Sequence, residues 1–340
     1  MVLRLLLAGA LVALAGAAEP PRGALNASLA GDLTPVHDPV IIREGDTYYV
    51  FGTGIPRDKG RYILSRTSKD LKTWTARGPL LTTIPDWALK AVPGVTELWA
   101  PDISRAADGR YRLYYAVSTF GSNRSAIGLA TSPTLDPDAP GYGWRDEGPV
   151  VLSTERDDFN AIDANHVIDR EGRHWLALGS FWTGLKLFRL DAKTGKLLDP
   201  KAKPYSIARR PAPPGAPAPV EAPFIVDHGG YYYQFASYDY CCKGVNSTYY
   251  TVVGRAREIT GPYLGKDGSP MMQGGGSIFL RADLEEKQRF RGPGHVGFLH
   301  DRDGRDYVVY HAYDRENRGR STLRIAPVTW GADGWPEADY

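Results

Sequence analysis

The sequence predicts an all-β fold, a five-bladed β-propeller, on three observations. A strand–turn–strand phrase recurs five times along the 340 residues. Each recurrence opens on a polar residue, runs into an apolar strand, turns at a glycine and continues in an aromatic or aliphatic strand. Clear amphipathic helices of ten or more residues are absent. A repeat of roughly sixty residues holding four short strands has the size of a propeller blade.

The first unit is His37-Asp38-Pro39-Val40-Ile41-Ile42, with a turn at Glu44-Gly45 and a second strand from Thr47 to Phe51. The second begins Trp99-Ala100-Pro101-Asp102-Ile103 and turns at Asp108-Gly109; the third begins Asn160-Ala161-Ile162-Asp163 and turns at Glu171-Gly172. The fourth, from Val220-Glu221-Ala222-Pro223, turns at Gly229-Gly230, and the fifth, from Gly292-Pro293-Gly294-His295, turns at Asp303-Gly304. Glycine after an acidic residue is a strong hairpin signal, because the turn needs a positive φ that glycine adopts at no steric cost. A second half follows each phrase, as in Ala126–Thr131, Leu185–Leu190 and Tyr250–Ala256, and supplies the outer strands.

In a propeller the first strand of every blade lines the central axis. The lead residues Asp38, Asp102, Asp163, Glu221 and His295 are therefore expected in one ring at a common mouth. Several carboxylates gathered in a buried place cost free energy unless some are neutral, hydrogen-bonded or metal-bound. Such a ring points to chemistry. Paired carboxylates suit glycoside hydrolysis, one protonating the leaving oxygen and the other activating water, or the binding of a hard cation. A phosphate-binding glycine loop, a His-Glu-x-x-His motif and a nucleophile elbow are all missing.

Composition narrows the class. The apolar fraction is 42% and the formal net charge +2, which supports a sizeable core and gives no electrostatic footprint for nucleic acid or an anionic membrane. Residues 1–18, with Arg4 followed by a Leu/Ala/Gly run ending at Ala17-Ala18, read as a secretory signal. A single catalytic domain is expected over 19–340, soluble and monomeric, in a secreted, extracellular protein. Asn-x-Ser/Thr sequons stand at Asn26, Asn123 and Asn246; Asn26, in a polar segment, is the strongest glycan candidate in a eukaryotic host. The two cysteines, Cys241 and Cys242, are adjacent and are either free thiols or a vicinal disulfide.

The blade-start motifs His37-Asp38-Pro39, Trp99-Ala100-Pro101-Asp102, Asn160-Ala161-Ile162-Asp163, Glu221-Ala222-Pro223 and Gly292-Pro293-Gly294-His295 resemble those of glycoside hydrolase family 43. Within it, Ser118–Ser122, Gly179–Trp182, Tyr238–Thr248 and Thr260–Tyr263 are similar to the endo-1,5-α-L-arabinanases. The resemblance implies inverting hydrolysis of arabinan, a pectin side chain, with Asp38 as general base, Glu221 as general acid and Asp163 tuning the acid and orienting substrate. It implies that His37, Asn160 and Ser180 line the cleft and that Trp99 and Phe120 offer aromatic faces to sugar. It implies that His295 faces one metal ion, expected as Ca2+ with several waters. Asp102 is expected to be structural. The proline-rich approach 208–219 departs from the family pattern beside Glu221 and bears on substrate length. Two other readings are an exo-acting arabinofuranosidase or xylosidase on the same scaffold and a non-catalytic carbohydrate-binding propeller.

Overall fold

Five β-sheets radiate from a common axis in the computed structural model, which describes residues 23–54, 60–213, 216–282 and 288–340. The signal expected at 1–18 lies outside the described residues. Blade one holds β1 (Ala30–Gly31), β2 (Val40–Glu44), β3 (Thr47–Gly52), β4 (Tyr62–Ser68) and β5 (Thr73–Leu81). Blade two holds β6 (Leu98–Arg105), β7 (Tyr111–Val117), β8 (Ser125–Ser132) and β9 (Arg145–Ser153). Blade three follows with β10 (Asn165–Ile168), β11 (His174–Leu178), β12 (Leu185–Leu190) and β13 (Tyr205–Ala208). Blade four has β14 (Val220–His228), β15 (Tyr231–Tyr238), β16 (Tyr250–Ala256) and β17 (Ser277–Leu280). Blade five has β18 (Phe290–His300), β19 (Asp306–Asp314), β20 (Arg320–Trp330) and β21 (Pro336–Ala338). Among the described residues two short α-helices, α1 (Ala24–Ala27) and α2 (Asp86–Ala91), complete the regular elements apart from single 3-10 turns.

Each blade is an antiparallel meander whose innermost strand is the repeated phrase; only β1 joins its blade in parallel, against β5. The inner strands β2, β6, β10, β14 and β18 touch their neighbours in turn, and β18 returns to β2, which closes the ring. Every apolar core lies between two blades. Leu113, Val117 and Ile103 pack against Tyr49, Phe51 and Val40 across the first wedge, for example, and Tyr310 and Val308 against Phe235 and Phe279 across the fourth. Alternating side chains feed two wedges from one strand, the period-two consequence of the pleat.

The last wedge has a further component. Chain 25–36 lays Leu25, Leu29, Leu33 and Val36 onto blades five and one, beside Leu323, Ile325, Val309 and Trp74. Its backbone bonds to blade five through Val36 N to Ser321 O and Leu323 N to Leu33 O. Asn26 sits at the centre of this clasp. It is buried at 6% exposure, its Nδ2 donates to Tyr310 Oη at 3.0 Å, and its Oδ1 accepts from Ile325 N at 2.9 Å. The expectation of a glycan at Asn26 is therefore corrected: its amide is consumed inside the closed ring. Asn123 is likewise buried, donating to Asp157 O and Phe159 O, and only Asn246 of the three sequons is exposed.

Candidate active site

Each inner strand has one residue in the left-handed region, just before it in blades one and three and within it in the other three. These residues are Asp38 (φ 51°), Ala100 (φ 41°), Asp163 (φ 59°), Ala222 (φ 54°) and His295 (φ 52°). L-residues rarely adopt such a backbone, and it clusters where surrounding structure over-determines it, typically at functional sites. This corrects the register read from the sequence. Asp38, Asp163 and His295 are true equivalents, whereas Glu221 stands one residue before the special position and Asp102 two residues after it. The pairing of β6 with β7 slips between Trp99 and Asp102, that of β14 with β15 between Glu221 and Phe224, and that of β18 with β19 on either side of Gly294. Such bulges re-aim a side chain.

Asp38 is buried and heavily partnered. Its Oδ1 meets His37 Nδ1 at 2.7 Å and His295 Nδ1 at 3.0 Å, and its Oδ2 accepts from Thr53 Oγ1. Burial opposes its ionisation, but the two imidazoles outweigh burial and hold the carboxyl well below the usual range. Glu221 receives Ser180 Oγ on Oε2 and Tyr249 Oη on Oε1, both at 2.8 Å. Burial pushes its carboxyl up; those two hydrogen bonds and His295 oppose the shift, and Asp38 adds to it. Asp163 is raised well above its ordinary value by burial, against His295, with Glu221 and Asp38 adding repulsion; the backbone N–H of Ala222 approaches its Oδ2 at 3.3 Å. His295 moves the other way. Burial would lower it, yet Asp38, Asp163 and Glu221 together lift it to about 9.

The remaining expected residues fall into place unevenly. His37 lies beside Asp38, its Nε2 2.8 Å from Tyr313 Oη and its ring stacked on His311 at 3.8 Å. Ser180 touches Glu221 directly. Asn160 is buried near the head of blade three, with no partner for its side-chain oxygen among the described residues. Phe120, at 88% exposure, has none of the burial that core packing requires. Trp99 is half-buried against the wedge between blades two and three, its indole N–H given to Glu97. Asp102 accepts from His166 N at 2.7 Å and from Asn165 Nδ2, and Asn165 in turn accepts from Ile225 N; these bonds tie three blades together. Burial lifts the Asp102 carboxyl to about 7. The proline-rich approach is moored by Arg210, which reaches Asp239 Oδ1 and Pro219 O and lies over the Tyr238 ring.

Sequence reasoning missed the second layer: Thr53, Tyr249, His311 and Tyr313. The signal was present for His311, a polar residue at the centre of the otherwise apolar strand Tyr307–Tyr313. Its Nδ1 accepts the Asp38 N–H at 3.1 Å, so its proton resides on Nε2, buried without an acceptor among the described residues. Burial and the neighbouring His37 keep His311 neutral.

A metal ion on the axis would have His295 Nε2 as its protein ligand, since Nδ1 faces Asp38. Among the described residues no set of three converging His, Cys, Asp or Glu ligand atoms includes His295. That donor set fits an ion held chiefly by water. The ion would compete with a proton, because metal binds the neutral imidazole.

One carboxyl held low by two imidazoles and two raised by burial share the same buried mouth, the combination that general acid–base chemistry requires. Comparison with known proteins gives the family. Residues 33–336 match the family model described as glycosyl hydrolases family 43. An extracellular endo-α-(1→5)-L-arabinanase of Bacillus subtilis is 43% identical over 302 residues, covering 88% of this chain and 87% of that protein. An extracellular exo-α-(1→5)-L-arabinofuranosidase of Cellvibrio japonicus is 42% identical over 312 residues, covering 89% and 86%. The solved family 43 endo-arabinanase of Bacillus licheniformis superposes with a TM-score of 0.81 at 46% identity, over 91% of this chain and 99% of that one. With the five-bladed ring and its carboxylate mouth, these matches establish that the chain belongs to glycoside hydrolase family 43.

Proposed function

We infer that this chain is an inverting endo-1,5-α-L-arabinanase that hydrolyses internal links of arabinan, with Asp38, Asp163 and Glu221 as its working carboxylates. The observation that carries the assignment of roles is the setting of two carboxyls in one mouth, Asp38 between the imidazoles of His37 and His295 and Glu221 buried between the hydroxyls of Ser180 and Tyr249. Asp38, clamped between two imidazoles, is the group that remains an acceptor, and it takes a proton from the attacking water. Glu221, raised by burial, retains a proton and gives it to the departing sugar oxygen. Inversion follows from base and acid acting in one step from opposite sides of the anomeric carbon. Asp163 couples to Glu221 and holds the proton inventory of the mouth.

Ser180 and Tyr249 orient the acid, and His37 orients the base. The side-chain oxygen of Asn160 is an acceptor for a water or a sugar hydroxyl. Phe120 and Trp99 supply faces for sugar rings. A calcium ion beside His295 would add positive charge to the axis next to Asp38. The mature chain, from residue 19, acts outside the cell as a monomer on a pectin side chain.

The exo reading is kept by one observation, the Cellvibrio japonicus relative named as an exo enzyme at nearly the same identity as the endo one. The product profile on linear 1,5-arabinan, compared with debranched xylan, separates the possibilities. Mixed oligosaccharides early in the arabinan digest are expected. A single short sugar from the outset would make the enzyme exo-acting, and no release from either polymer would make the chain a binding module.

A further inference from the structure

We propose that Cys241, Cys242 and His37 form a latent site for a thiophilic divalent cation of the zinc class, closed by the Cys241–Cys242 disulfide and opened by its reduction. The two sulfurs are neighbours in sequence and His37 lies 205 residues before Cys242, yet one ligand atom from each lies within 4.8 Å of the other two. The sulfurs are bonded to one another in the oxidised protein.

The tautomer of His37 is already the one a metal needs. Its Nδ1 lies 2.7 Å from Asp38 Oδ1, an oxygen that also faces His295 Nδ1, and donates to it. Cys242 N donates to Tyr313 Oη at 2.8 Å, leaving the Tyr313 hydroxyl proton to point at His37 Nε2, also at 2.8 Å. Nε2 therefore carries its lone pair, which accepts from Tyr313 Oη, and Cys242 Sγ stands 3.7 Å from the same nitrogen. A carboxylate behind the far nitrogen is the usual support of a metal-bound histidine, fixing its ring and raising its basicity. The distances agree as well. Zinc bonds of about 2.3 Å to sulfur and 2.0 Å to nitrogen at a tetrahedral angle place the two ligand atoms about 3.5 Å apart. Cys242 Sγ and His37 Nε2 stand 3.7 Å apart. Cys242 is exposed, so both reductant and ion reach the site from solvent.

The gate is a two-electron step. A thiol reductant passes two electrons and two protons to the paired sulfurs and leaves as its own disulfide, so that Cys241 and Cys242 become thiols. The cation then displaces both thiol protons to solvent and takes the Nε2 lone pair from Tyr313, giving two sulfurs, one imidazole and one open position. With His37 drawn to the cation and positive charge brought beside Asp38, the base loses its setting and hydrolysis slows. The oxidised protein offers no thiolate and is spared.

The test uses the full chain, oxidised or reduced with dithiothreitol and freed of it under argon, with thiols counted first and Co2+ as the probe. The reduced protein is expected to expose two thiols and bind one Co2+, with a thiolate-to-cobalt charge-transfer band in the near ultraviolet. The oxidised protein should show no such band. Zn2+ should lower arabinan hydrolysis at least tenfold in the reduced protein only, with recovery on adding a chelator. Cys242→Ser and Cys241→Ser should each abolish the band. His37→Gln, read by metal binding alone, should weaken Co2+ at least tenfold. A disulfide that stays closed overturns the proposal, as does unchanged Co2+ affinity in His37→Gln or equal inhibition of oxidised and reduced protein by Zn2+. Metal binding is read without substrate, so its outcome stands apart from the hydrolase assignment.

Discussion

Glu221 is governed by two opposing influences, and each can be removed by one substitution. Its hydrogen bond from Tyr249 stabilises the carboxylate, while burial beside other acids destabilises it. Tyr249→Phe should therefore raise the Glu221 pKa and move the alkaline limb of the kcat/KM profile upward. Asp163→Asn removes the coupled acid and should move the same limb downward. The acid limb reports Asp38, whose pKa lies well below the ordinary carboxylate value, and should stay in place for Tyr249→Phe. Identical displacement of both limbs in either variant would remove Glu221 from the acid role. The sequence displayed all three carboxylates because each stands next to an apolar strand, where a polar residue is conspicuous. It did not display Tyr249 or Thr53, whose side chains reach the mouth only once the second and third strands of their blades are folded.

At the scale of the element, the inner strands work because one residue in or just before each turns in the left-handed region and because glycine lets neighbours close in. A Cβ built on Gly294 would stand 2.4 Å from the ring of Tyr249, the donor to Glu221. Gly294→Ala should leave a folded protein in which Tyr249 is displaced; kcat should fall roughly 10- to 100-fold, since a displacement near 1 Å has that order of effect. Steady-state kinetics should show KM changing much less than kcat. The repeated phrase predicted the blades well, since strand, glycine turn and strand are local. The register at the blade heads was legible only to within one or two residues. A bulge leaves no mark in the hydrophobic pattern, and so Asp102 and Glu221 were aligned with residues they do not match.

For the whole molecule, the ring closed by the return of β18 to β2 is covered at its last wedge by the N-terminal clasp. Asn26 and Tyr310 are separated by 284 residues, a contact that no local pattern announces. Asn26→Ala leaves Ile325 N without its partner and removes one of the hydrogen bonds of Tyr310 Oη, which keeps Arg324, a loss of about 1–3 kcal/mol that should lower Tm by a few degrees. Calorimetry of the purified variant checks this, and an unchanged Tm would show that the clasp adds nothing. The same burial predicts glycan occupancy after expression in a eukaryotic host. Peptide mass spectrometry should find Asn246 modified and Asn26 and Asn123 bare, because a glycan at either buried site is incompatible with the closed ring.

The central claim, that Glu221 is the acid and Asp38 the base, is tested most directly by varying the leaving group. Arabino-oligosaccharides carrying an activated aryl group need no protonation to depart, whereas arabinan does. Glu221→Gln should lose about 100- to 10,000-fold in kcat on linear arabinan yet retain most of its rate on the activated aryl substrate. Asp38→Asn should lose activity on both. Equal losses for Glu221→Gln on the two substrates, or wild-type activity of either variant on arabinan, would contradict the assignment.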